Sequence, residues 1–99
     1  MYIVVFVTTK DKNEAGKIAH KLLEEKLIAC ANILEGVKSL FWWEGKIDQS
    51  DEVLLILKTR QDHFGKIVST VKSLHSYDVP EVIALPIADG NKDYLTWID

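Results

Sequence analysis

His75, Asp78 and Glu81 lie within one seven-residue stretch, HSYDVPE. An imidazole nitrogen with two carboxylate oxygens suits a divalent transition metal, and copper heads the affinity order for such a set. These three are the candidate metal ligands, and copper or another divalent cation is the candidate ion. His75 has a second use, because a ring at the end of a helix complements its carbonyl end. His20 falls off the apolar stripe of its helix. His63 sits in the first turn of another, where a cation gains nothing from the dipole. Both read as surface. Cys30 is the sole cysteine. Its thiolate would suit Cu(I) or Zn(II), but no C-x-x-C pair or neighbouring histidine supports it, so it reads as a small buried hydrophobe. Lys58 closes an apolar run, and a buried ammonium needs a carboxylate, for which Glu52 or Glu81 is the candidate. Tyr77 and Trp43 are able to line the same cleft.

No enzyme signature accompanies these residues. There is no nucleophile turn with a Ser/His/Asp set, no Walker sequence and no Gly-rich dinucleotide loop. A phosphate cradle after the first strand would need an arginine, but the only one is Arg60, and that loop reads Thr8-Thr9-Lys10-Asp11. The expectation is a protein that is not an enzyme. A formal net charge of −3 over 99 residues argues against nucleic acid as a partner, since no basic face is available to displace counterions. Ninety-nine residues predict one domain, 1–99. With one cysteine no internal disulfide forms, which fits a reducing compartment. The apolar N-terminal run Tyr2–Val7 has no basic leader and is too short to span a membrane. These features together predict a cytoplasmic protein with no membrane partner.

The elements that must position these residues follow from periodicity. Tyr2 to Thr9 is rich in β-branched and aromatic residues and predicts a strand. Asp11 caps a helix with Glu14 as its reciprocal partner, and Ala15, Ile18, Ala19, Leu22, Leu23 and Leu27 follow at helical spacing to about Lys26. Ile28 to Glu35 is a second strand, bent at Gly36 and continued from Val37 to Trp43 into a Glu44-Gly45 turn. The return starts at Lys46 and includes Glu52–Lys58. Thr59 with Asp62 predicts another capping box, and Phe64, Ile67, Val68, Val71 and Leu74 give a second helix its buried stripe. Glu81 to Ile87 is the fourth strand, and Asn91 to Ile98 a short terminal helix. The order β-α-β-β-α-β is the split pattern of an α+β, ferredoxin-like fold, with two helices on one face of a four-stranded antiparallel sheet.

Two features then want cover that one chain does not supply. Val53-Leu54-Leu55-Ile56-Leu57 is apolar at every position, so both faces of that strand call for burial. The long hairpin carries Phe41, Trp42 and Trp43 next to its turn. Alternation puts Leu40, Trp42 and Ile47 on one of its faces and Phe41, Trp43, Lys46 and Asp48 on the other. An interface between copies, closed by cyclic symmetry, accounts for both features, with Leu40, Phe41, Trp42 and Ile47 as its contact residues.

Five segments in this order, LIACANI (27–33), FWWEGKI (41–47), LILKT (55–59), HSYDVPE (75–81) and YLTWI (94–98), resemble the CutA family of divalent-cation tolerance proteins. The resemblance runs over nearly the whole chain. It implies a ferredoxin-like homotrimer in which long hairpins pair between subunits, and a cytoplasmic role in tolerance of copper and other divalent metals. It also implies an inter-subunit cleft, for which Cys30, Trp43, Glu52, Lys58 and Tyr77 are the lining candidates. The sequence departs from the family pattern at Ser76, where a proline is usual. Copper-binding members have been linked to a cysteine ending the first strand and to two adjacent histidines; those positions read Val7, Leu74 and His75, so only the last is present. Two other readings fit the same topology: a regulator like the PII signalling proteins, binding a small effector in such clefts, and a trimeric scaffold without a ligand. The tight Glu44-Gly45 turn counts against the former, whose usual device is a long loop at that place.

Overall fold

A computed structural model describes all residues, Met1–Asp99. Strand β1 (Tyr2–Thr9) is followed by helix α1 (Lys12–Glu24), the paired strands β2 (Cys30–Trp43) and β3 (Lys46–Arg60), a 3₁₀ turn (Gln61–His63), helix α2 (Phe64–Leu74), strand β4 (Val82–Pro86) and helix α3 (Lys92–Ile98). The four strands form one antiparallel sheet in the order β2-β3-β1-β4. This is the α+β arrangement that the element order predicts.

Alternation along the two central strands decides where the core lies. Ile3, Val5, Val7 and Thr9 of β1 and Val53, Leu55, Leu57 and Thr59 of β3 are buried, and each residue between them is half-buried. Ile18 and Leu22 of α1 and Ile67 and Val71 of α2 close over that face. The opposite face carries Val4, Phe6, Leu54 and Ile56, flanked by Leu34, Ile83 and Leu85. Ile83 is 50% and Leu85 44% exposed, so this second apolar face lacks a cover. At one end α3 reaches back to it: Tyr2 Oη donates to Asp99 Oδ2 at 2.5 Å.

The helix boundaries correct three expectations. Asp11 accepts from the Glu14 amide at 2.8 Å as predicted, but the Glu14 carboxylate reaches past Asp11 to the Lys10 amide, 3.2 Å away. Helix α1 stops at Glu24, and Lys26 adopts a left-handed φ of 57° in the turn that follows. Thr59 caps nothing. Its hydroxyl is buried in β3 and donates to the Leu27 carbonyl at 2.6 Å, while Asp62 pairs with Arg60. A buried carbonyl without a partner outweighs an exposed helix end that water can serve.

Beyond the helices, β2 and β3 continue as a finger, which stretches the chain to 45 × 26 × 22 Å. Glu44 (φ 52°) and Gly45 (φ 78°) make its two-residue turn, with Trp43 opposite Lys46 and Trp42 opposite Ile47. The register slips by one residue between Leu34 and Val37, where Gly36 (φ 81°) sits in a bulge. On the finger Leu40, Trp42 and Ile47 are 67%, 73% and 67% exposed, so it does not fold back onto the chain's own core.

Candidate functional site

The polar residues gather where α2 gives way to β4. His75 ends α2, and its side chain is fully buried. Nε2 lies 2.7 Å from the Thr8 carbonyl of β1, and Nδ1 accepts from the Tyr77 amide at 3.0 Å. The Tyr77 ring packs against the imidazole, with centroids 4.7 Å apart, and its hydroxyl donates to Glu52 Oε2 of β3 at 2.8 Å. Burial, then the Glu52 carboxylate, push the Tyr77 phenol up to about 12. From α1, Glu14 Oε2 accepts from the Ser76 amide at 2.8 Å, and Oε1 lies 3.8 Å from His75 Nδ1. Burial pushes the Glu14 carboxyl up, but the hydrogen bonds from Ser76 and the Lys10 amide outweigh it and leave the group below its ordinary range. Residues 75–77 thus tie one loop to β1, α1 and β3.

This geometry bears on metal binding. Both His75 nitrogens are engaged by backbone groups, and Asp78 and Glu81 are exposed. No group of three or more His, Cys, Asp or Glu side chains is arranged to hold a metal ion. The residues of a single chain therefore do not fit a copper centre built on His75, Asp78 and Glu81. His20 is exposed and His63 half-buried.

The five cleft candidates separate into two pairs and a singleton. Glu52 joins Tyr77. Cys30, half-buried, lies opposite Lys58 in the β2–β3 pairing. Trp43 is alone at the fingertip, 61% exposed. Lys58 corrects the ion-pair expectation: its ammonium donates to Asn32 Oδ1, not to Glu52 or Glu81. Register is the reason, because Asn32 sits diagonally across from Lys58, whereas Glu52 is six residues along the strand, ~20 Å away. Tyr94 of α3 neighbours Cys30, and burial together with that thiol pushes its phenol up. Glu14 and Asn32 are the contributors that periodicity missed. A glutamate in a first helical turn looks like a cap, and nothing local signals that its second oxygen holds a loop 62 residues away.

The family model described as CutA1 divalent ion tolerance protein matches residues 3–99. The chloroplastic protein CutA 1 of Oryza sativa subsp. japonica is 49% identical over 96 residues, covering 97% of this chain and 54% of that protein. The chain spans about half the length of the plant relatives it matches. The solved divalent cation tolerance protein from Thermus thermophilus is 45% identical with a TM-score of 0.97, covering 99% of this chain and 95% of that one. The periplasmic divalent cation tolerance protein CutA from Archaeoglobus fulgidus gives 45% identity and a TM-score of 0.96, with the same coverage of 99% and 95%. These relatives overturn the cytoplasmic expectation, since one is described as periplasmic and the plant proteins as chloroplastic. The physical reason is simple: a fold that needs no disulfide is compatible with reducing and oxidising compartments alike.

Proposed function

Because the chain belongs to the CutA1 divalent ion tolerance protein family, we propose that it serves divalent-cation tolerance as a homotrimer, binding copper or another divalent metal where subunits meet and catalysing no reaction. The observation that carries this reading is the uncovered apolar surface. Leu40, Trp42 and Ile47 stand in solvent on a finger, and Ile83 and Leu85 flank a bare sheet face. Large aromatics each bury ~150–250 Å² when covered, which makes such a surface an interface rather than a tolerable exposure. Copper is the first cation to try, because it binds mixed nitrogen and oxygen sets most tightly.

Light scattering behind a sizing column, at micromolar concentration, tests the assembly. The expected mass is three times the 11.3 kDa chain. Trp42→Glu combined with Ile47→Lys is expected to give single chains, with calorimetric copper uptake lost alongside. A wild type that runs as a single chain refutes the assembly, and copper uptake unchanged in the dissociated variant refutes the shared site.

A further inference from the structure

We infer that His75 is a tautomer-locked positioning residue that sets Tyr77 against Glu52, and that cations taken up by the assembly do not use its ring. The second half rests on the cation reading above; the first stands on geometry alone. A backbone carbonyl only accepts, so the contact with Thr8 O at 2.7 Å puts the ring proton on Nε2. A backbone amide only donates, so the contact from Tyr77 N at 3.0 Å requires a lone pair on Nδ1. Neither partner can exchange roles. The neutral Nε2–H form is the one state of the ring that serves both, and its single lone pair is already taken.

A metal ion has no way in without dismantling this arrangement. At Nδ1 it must expel the Tyr77 amide. At Nε2 it must remove the proton that Thr8 accepts. The side chain is completely shielded from solvent, so the displaced backbone groups have no water to turn to. The charged and titratable neighbours are Glu14 of α1, with Oε1 3.8 Å from Nδ1, and beyond the tilted ring of Tyr77, Glu52 of β3. Glu14 is itself occupied by the amides of Ser76 and Lys10.

What the lock achieves is the placement of Tyr77. With its amide held by Nδ1 and its ring against the imidazole, the phenol reaches Glu52 at 2.8 Å. Glu52 lies at the base of the finger, opposite Val37. His75 thereby fixes the loop to the root of the element that the proposed assembly uses.

The test uses the full chain in its native assembly, labelled with ¹⁵N, and long-range proton–nitrogen spectra of the imidazoles. His75 is expected to show a protonated Nε2 and a bare Nδ1, both unchanged when Zn(II), a diamagnetic probe, is added in excess. Calorimetry of Zn(II) with His75→Gln, which keeps one donor and one acceptor, is expected to match the wild type. Removing a true ligand would weaken binding by at least the roughly ten- to hundredfold that loss of an outer-shell partner costs. The Tyr77 phenol, followed by ¹³C-tyrosine spectra, is expected near 12 in the wild type. It should drop toward the free value of ~10 in His75→Ala and recover in His75→Gln. An Nδ1–H tautomer, a ring nitrogen that moves with zinc, or a Tyr77 indifferent to His75→Ala overturns the inference. A wild type that takes up no zinc refutes the cation reading alone, and the positioning role then stands or falls on the tautomer and the Tyr77 titration.

Discussion

Glu14 holds two amides with one carboxylate, and its two contacts span a helix cap and a distant loop. Its carboxyl lies below the ordinary range when folded, so the folded chain binds that proton less readily than the unfolded chain does. The stability it contributes is present above the ordinary carboxylate range near pH 4 and is lost as pH falls through the lower folded value. Glu14→Gln is expected to cost about 1.5–3 kcal/mol at neutral pH, the range for hydrogen bonds to a charged group, and to flatten the loss of urea stability between pH 5 and 3. Tyr77 has the opposite sign. Its phenol is pushed up to about 12, so its contribution is intact below ~10 and fades as pH climbs through the folded value. Tyr77→Phe should remove that alkaline slope in a urea-midpoint series. Neither role was legible beforehand. The sequence shows that His75 ends a helix, but its partners are backbone groups of Thr8 and Tyr77, and a backbone partner leaves no residue signature.

The finger is the element in which local chemistry and fold agree most closely. Glu44-Gly45 forms a turn with positive φ at both positions, the primed geometry that matches strand twist. Glu44 is not a residue that favours it. Glu44→Asn is expected to raise stability by a few tenths of a kcal/mol, and Gly45→Val to lower it by about 1–2 kcal/mol, both read from urea midpoints. The Tyr2–Thr9 strand, the turn and the bend at Gly36 could all be read ahead of the structure, because each rests on alternation or on a glycine conformation confined to a few neighbours. The Thr59–Asp62 spacing misled for the converse reason. It satisfies a capping box locally, yet a carbonyl 32 residues earlier claims the hydroxyl. Lys58 misled likewise, since alternation gives its face but not the cross-strand register that delivers Asn32.

At the scale of the molecule, the two faces of the sheet carry different obligations. Leu55 is sealed under the helices and Ile56, its neighbour, lies on the bare side. Leu55→Ala is expected to cost ~2–5 kcal/mol in unfolding free energy at any protein concentration. Ile56→Ala is expected to act on assembly instead, lowering the melting temperature most in dilute samples, as a mass-action effect does. Paired thermal scans across a hundredfold dilution separate the two. The bulge at Gly36 absorbs one surplus residue and bends β2 where the finger begins. Ahead of it, even-numbered β2 residues share a side with even-numbered β3 residues; past it, they share a side with odd-numbered ones. Excising Gly36 would leave Trp42 opposite Ile47 and Trp43 opposite Lys46, so both tryptophans keep their sides while the bend and added twist of the bulge are lost. Such a chain is expected to close its own core normally and to present the same residues on a differently angled finger, which mixed-species light scattering with unaltered copies would register as weakened association.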